Sequence, residues 1–290
     1  MKKVLEIKKL TKYYGNKLGV KDLSLSLEKG DVFGFIGPNG AGKSTTIRSI
    51  MNLINKTSGE VYCEGEKLEK DNLKQKAQIG YLPSEIHLYD DLTVKEILDY
   101  HESFYKKNIH KRRQELVKRL KLEETEKIEE LSLGNLKKIG IILAFMHEPK
   151  LLILDEATSG LDPIIQEVFY ELLEEEKAKG TTIFYSTHIL SEVSRICNRV
   201  GIIKNGELLK EEQVKDLTNK ELTFITITSQ DVNKIVKKLN ITPQEQSGNT
   251  IKIKNTLEIN ELIKILAKYK IEKLLIEPAT LEEIFLHYYK

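Results

Sequence analysis

The stretch 37-GPNGAGKST-45 decides the fold, because it fits G-x-x-x-x-G-K-[S/T] and lies between an apolar run and an amphipathic one. The preceding run, 32-VFGFIG-37, is short, β-branched and aromatic, the composition of a buried strand. After it, Ile47, Ile50, Met51 and Ile54 fall at i, i+3, i+4 and i+7, which predicts a helix with one apolar face laid on a sheet. Strand, glycine-rich turn and helix in that order make a phosphate cradle. Gly37, Gly40 and Gly42 let the backbone turn tightly, so that N–H groups of the loop converge on phosphate oxygens. Lys43 brings a point charge to β- and γ-phosphates, and Ser44 offers a hydroxyl to Mg²⁺. The positive end of the helix adds to the attraction. Candidate nucleotide contacts are therefore Gly37, Pro38, Asn39, Gly40, Ala41, Gly42, Lys43, Ser44 and Thr45. The alternative, a glycine-rich strand-to-helix turn without a ligand, does not explain why both flanks are the ones the motif requires.

Outward from the loop, 151-LLIL-154 and 181-TTIFYS-186 are further buried-strand candidates, each followed by a helical pattern. That alternation predicts an α/β fold with a mostly parallel sheet covered on both faces. The first of these strands runs into Asp155 and Glu156, where burial makes unpaired carboxylates costly and a bound cation would relieve the cost. Asp155 is thus a candidate Mg²⁺ ligand and Glu156 a candidate base for an attacking water; a lone Asp-Glu pair would read as an acidic helix cap, a preference that the phosphate loop upstream reverses. Between roughly 90 and 130 strands give way to helix. Thr93 with Glu96 reads as a capping box, and Val94, Ile97 and Leu98 share a face, which predicts an inserted helical subdomain at about 86–140. The turn 204-KNGE-207 predicts a two-residue hairpin.

From about 222 the pattern changes. LTFITITS reads as a strand, and Val232, Ile235, Val236 and Leu239 as a helical stripe. TPQEQ and TIKIK flank the turn 247-SGN-249; a second stripe runs through Ile259, Leu262, Ile263 and Leu266; IEKLLIE closes as a strand. This β-α-β-β-α-β order is that of a small ferredoxin-like unit, expected at 222–290 beside a larger domain at 1–215. A capping box between Thr280 and Glu283 predicts one more helix.

Composition narrows the function classes. With 290 residues, 40% hydrophobic and 31% charged, the chain has room for a sizeable core and is too apolar for wholesale disorder. A formal net charge of +2 gives no electrostatic case for nucleic acid, and none is expected as a partner. Cys63 and Cys197 stand far apart with no metal-ligand spacing, which fits a reducing cytosol. No secretory signal is expected, and no stretch approaches the roughly 20 continuous apolar residues of a membrane-spanning helix.

With these residues in hand, the chain resembles an ATP-binding cassette (ABC) ATPase, the nucleotide-binding subunit of a single-cassette bacterial exporter. The phosphate loop is followed in the family's order by 79-IGYLPSE-85, 131-LSLGN-135, LLILDE, 159-SGLD-162 and 186-STH-188. The resemblance covers residues 1 to about 215 and implies a P-loop cassette with a parallel core, an antiparallel β subdomain and a helical insertion. It reaches the C-terminal unit through 278-PATLEEIFL-286. It implies ATP and Mg²⁺ as ligands, Glu156 as base, His188 on the γ-phosphate, and Tyr14, next to Tyr13, stacked on adenine. It also implies that two cassettes close head to tail, with Ser132 and Gly134 completing the site of the other copy, and that Asp162 is a further nucleotide-binding residue. Read alone, Ser132 and Asp162 are N-caps, Asp162 with Pro163 behind it; both readings can hold. The chain departs from the family in three places: LSLGN stands for LSGGQ, Ala157 for a frequent proline, and Ser84 for the glutamine that meets Mg²⁺ and water, whose reach serine cannot copy. The implied function is ATP hydrolysis driving a separate membrane permease, from a cytoplasmic position on the inner face of the cell membrane. The segment 84–105 would be its permease contact. The competing readings are a soluble cassette acting on ribosomes or nucleic acid, and a low-turnover regulatory module; stimulation of turnover by a membrane partner discriminates among the three.

Overall fold

The computed structural model describes residues 2–218, 223–239, 241–255 and 258–278, which fall into two units, Met1–Val214 and Lys215–Lys290. The first begins with β1 (Lys3–Tyr14) and β2 (Lys17–Glu28), a long antiparallel hairpin, followed by β3 (Val32–Ile36) and α1 (Lys43–Ile50). Next come β4 (Ser58–Cys63), β5 (Glu66–Lys67), α2 (Leu73–Lys76) and β6 (Ile79–Leu82), then the inserted helices α3 (Val94–Glu102) and α4 (His110–Arg119). The chain continues through α5 (Leu133–Phe145), β7 (Leu151–Asp155), α6 (Pro163–Ala178), β8 (Thr182–Thr187), α7 (Leu190–Ile196), β9 (Arg199–Lys204) and β10 (Glu207–Gln213), and α8 (Val214–Thr218) begins at the last residue of the first unit.

Two sheets share one core with α1. The order β10-β9-β3-β8-β7-β6 is parallel from β9 to β6, and β2-β1-β4-β5 is antiparallel. Every residue of β3, β7 and β8 is buried, as expected of central strands covered on both faces. The period of two still sorts them. Phe33, Phe35, Leu151, Ile153 and Phe184 face the core shared with β1, β2, β4 and α1, and the Phe184 ring lies 5.8 Å from Phe33 and 5.2 Å from Phe35.

The predicted hairpin forms between β9 and β10, with Asn205 and Gly206 both at positive φ as a type I′ turn requires. Helix α1 is shorter than its apolar pattern. It ends at Ile50, and Asn52 at φ 54° turns the chain out of the helix, so Ile54 continues the spacing outside it.

In the insertion, Thr93 caps α3 with its side chain accepting from Glu96 N–H, and Glu96 returns the bond to Thr93 N–H. Arg113 on α4 is buried among three carboxylates, meeting Asp99, Glu102 at 3.1 Å and Glu124 at 2.5 Å. Glu124 lies in the acidic run 123-EETEKIEE-130 that precedes Ser132, so one guanidinium binds α3, α4 and that run together.

Beneath them, the His147 ring stacks on Tyr105 at 4.6 Å and lies 6.2 Å from His101. Neither ring nitrogen of His147 has a hydrogen-bond partner among the described residues. Burial, and then the neighbouring His101, push its pKa from 6.5 down to about 4. The unfolded chain therefore takes up this proton at a higher pH than the folded one. The stability involved is whole above pH 6.5 and is lost as pH falls from 6.5 towards 4, in all about 3 kcal/mol. Thermal unfolding between pH 7.5 and 4.5 should show a shallower acid decline for His147→Phe than for the parent; parallel curves would exclude His147 as the source.

The second unit contains β11 (Thr223–Ser229), α9 (Val232–Leu239), β12 (Glu245–Ser247), β13 (Thr250–Lys254), α10 (Ile259–Leu266) and β14 (Ile271–Pro278), the ferredoxin-like order, in an antiparallel sheet β12-β13-β11-β14. Its core joins Ile225 and Ile227 to Ile235, Ile251, Ile253 and Leu262. Strand β12 begins only at Glu245, later than the TPQEQ reading, and Gly248-Asn249 alone make the turn. The Thr280–Glu283 capping box lies outside the described residues.

Candidate active site

The phosphate loop leaves β3 at Ile36 and enters α1 at Lys43. Gly42 sits at φ 110°, and a Cβ there would lie 2.6 Å from Gly19 O, so only glycine fits this helix entry. Lys43 is 5% exposed, and its ammonium donates to Gly37 O at 2.9 Å and Pro38 O at 3.3 Å. The backbone of the loop thus holds its own cation over the turn. Ala41 is buried, its carbonyl accepting from Gly206 N–H at 2.9 Å. A cleft of about 750 Å³ opens over this floor. Its walls bring Tyr14 and Gly19 from the β1–β2 hairpin together with Asn39, Gly40, Gly42, Lys43, Ser44, Thr45, Ser84, Glu156 and Ser159. Tyr14 stands on this wall; Tyr13, its neighbour, does not.

Two acids stand in sequence where β7 ends, and the second, Glu156, lines the cleft. Asp155, the last residue of β7, is 1% exposed; Oδ1 accepts from Ser186 Oγ, while Oδ2 is buried without a partner among the described residues. A buried, unpartnered carboxylate oxygen near a serine hydroxyl suits a hard divalent cation or its water, and Asp155 with Ser44 fits Mg²⁺, which takes few protein ligands beside substrate phosphates. Glu156 follows at φ 47°, its N–H bonded to Ser186 O at 3.0 Å. One of its oxygens, Oε1, lies 3.5 Å from Lys43 Nζ and 3.3 Å from His188 Nδ1. Two residues from two motifs thus converge on an oxygen that belongs to a third.

Sequence reading missed two buried charges beside this site. Glu192 on α7 accepts hydroxyls from Thr158, Tyr170 (3.4 Å), Tyr185 (2.9 Å) and Thr187 (2.6 Å). It ties the loop after Glu156 to the residue before His188. Lys137 on α5 is 3% exposed and donates to Pro83 O and Ser84 O, both at 3.0 Å. Burial pushes its pKa down to about 8 against the opposing pull of Asp155 and Glu156. A signal for it existed, since Lys137 shares a helix face with Ile141 and Ala144.

Ser132 and Gly134 lie elsewhere. Ser132 caps α5, its Oγ accepting from Asn135 N–H at 3.2 Å. Gly134 approaches the next loop so closely that a Cβ would lie 3.0 Å from Gly160 O. With Leu133, which is 81% exposed, they border a shallow depression of about 490 Å³ whose other side is Gly160, Leu161 and Asp162. Asp162 caps α6, its Oδ1 accepting from Ile164 N–H and Ile165 N–H at 3.0 Å each. The depression and the phosphate-loop cleft share no lining residue.

The sequence profile of the ABC transporter family matches residues 20–159. The linearmycin resistance ATP-binding protein LnrL of Bacillus subtilis is 38% identical over 79% of this chain and 76% of its own length. The bacitracin transport ATP-binding protein BcrA of Bacillus licheniformis is 37% identical over 81% of this chain and 78% of its own. Among solved structures, the ATP-binding cassette MJ0796, a dimer in a post-hydrolysis state bound to ADP and Pi, superimposes with a TM-score of 0.66, at 26% identity, over 72% of this chain and 98% of that one. Phosphate loop, paired acids and relatives agree: the chain belongs to the ABC transporter ATP-binding protein family, and its first unit is an ABC ATPase domain.

Proposed function

We propose that this chain is the ATP-hydrolysing subunit of an exporter, closing head to tail with a second cassette around two Mg²⁺-bound ATP molecules and driving a separate membrane permease. The observation that carries the reading is the division of the site. The cleft over Lys43 is lined by the start of α1 but not by Ser132, Gly134 or Asp162, while Ser132 and Gly134 present a second capped helix start in a separate depression. Two half-sites on different parts of one surface are complementary only between chains. The second cassette is a copy of this chain or a different ATPase. That MJ0796 is a dimer, and that LnrL and BcrA are named for resistance and transport, supports both the pairing and the exporter role.

Lys43 neutralises charge on the β- and γ-phosphates, and Tyr14 supplies a stacking face for the base. Glu156 Oε1 orients the attacking water and takes its proton, and His188 hydrogen-bonds the γ-phosphate. Mg²⁺, held by Ser44 and Asp155 with Ser84 beside them, supplies further charge neutralisation when bound. Among the described residues no helix is long and apolar enough to cross a membrane. The chain works from the cytoplasmic, inner face of the membrane, touching the permease with 84–105, where Tyr89, Tyr100 and Phe104 are exposed.

Ser132→Arg tests the shared site. Losing the cap costs α5 about 1 kcal/mol, and ATP binding by the single chain persists. ATP-driven dimerisation, followed by light scattering in a Glu156→Gln background, should weaken by about a hundredfold or more as an arginine fills the phosphate-facing turn. A dimer forming at the parent's concentration would refute the shared site.

A further inference from the structure

We propose that Lys137 is a positioning residue that fastens the serine-bearing helix α5 to residues 83–84 of its own chain, so that capture of one nucleotide by α5 is transmitted to the cleft holding the other. The inference rests on the shared-site reading and adds to it a specific connection. Lys137 lies five residues after Ser132, about 7.5 Å along a rigid helix, with no flexible joint between them. Its ammonium is buried and spends two donors on consecutive carbonyls, Pro83 O and Ser84 O. One turn further along the same face, a Cβ on Gly140 would lie 2.1 Å from Ile86 Cδ1 and 2.7 Å from Leu82 Cδ1, so α5 and the 82–86 segment are in close contact there too. A polar tie and an apolar contact three residues apart prevent the segment from sliding or rotating on the helix.

The tie explains how the chain functions with serine at position 84. Ser84 lines the cleft beside Glu85 and Glu156, yet its side chain is too short to follow a ligand. The segment is held through its backbone instead, by a buried ammonium on two consecutive carbonyls. Movement of the α5 N-terminus on the partner's γ-phosphate therefore displaces the wall of the cleft opposite Glu156, and misplacement there costs rate rather than binding.

The test uses the full chain with Glu156→Gln, ATP and Mg²⁺, and reads hydrogen exchange in peptides covering 83–90 and 132–136. In that background ATP should slow exchange in both segments. With Lys137→Met added, the dimer should still form and 132–136 should still be protected, while protection of 83–90 is lost. In the chain that retains Glu156, Lys137→Met should lower kcat by about 30-fold with KM for ATP within about twofold of the parent. Persistent protection of 83–90, or kcat within about threefold of the parent, overturns the proposal. So does a folded Lys137 variant that no longer dimerises, since the lysine would then serve the helix start itself. If Lys137→Met melts early, Lys137→Gln carries the same readouts. Failure of the Glu156→Gln chain itself to dimerise strikes the shared-site reading instead and leaves the Lys137 contacts to be judged by the split between kcat and KM.

Discussion

Replacing Glu156 with glutamine is expected to lower ATP turnover about a thousandfold while nucleotide binding persists and a nucleotide-bound dimer accumulates. The substitution keeps the shape of the side chain and its left-handed backbone position, at φ 47°, where a bulkier change would add strain. It removes the basic oxygen on which Lys43 and His188 converge at 3.5 and 3.3 Å. An amide oxygen can still orient a water but cannot accept its proton, so the loss falls on the bond-breaking step. On the proposed cycle, release of product reopens the pair, so without cleavage the closed state persists. Turnover within threefold of the parent would remove Glu156 from the base role, and a single-chain species at saturating ATP would separate cleavage from opening.

The second large effect is expected on binding. Lys43→Met should weaken ATP affinity by about a hundredfold or more, since it deletes charge-assisted hydrogen bonds worth about 1.5–3 kcal/mol each. The unliganded fold should change little by comparison. Methionine has nearly the volume of lysine, and the two carbonyls that hold the ammonium, Gly37 O and Pro38 O, belong to a loop that opens on the cleft. Titration calorimetry with ATP would measure the affinity and thermal unfolding the fold. Affinity within threefold of the parent would show that the backbone N–H groups, rather than the ammonium, bind the phosphates.

What could be read from the sequence was local. A strand, a glycine-rich turn and a helix are specified by neighbours in the chain, so the cradle, the LLILDE strand, the Thr93 capping box and the ferredoxin-like order could all be traced without coordinates. Length was less legible. Ile54 extends the apolar spacing of α1, yet Asn52 ends the helix first, because periodicity records which face is apolar and not where the backbone turns. Pairings between distant segments were not legible at all. Lys137 and Ser84 are 53 residues apart, and Thr158 and Glu192 are 34 apart. The apolar helix face of Lys137 signals its burial, but nothing in the sequence names the carbonyls it ties.

The cluster around Arg113 bears on how force crosses the insertion. A guanidinium enclosed by Asp99, Glu102 and Glu124 is screened little by salt, so the joint between α3 and α4 should stay stiff at ionic strengths that loosen surface pairs. A stiff joint carries torque. A push from outside on Tyr100 or Phe104 would then swing the insertion as a single arm instead of bending it, and little of the stroke would be lost as internal strain.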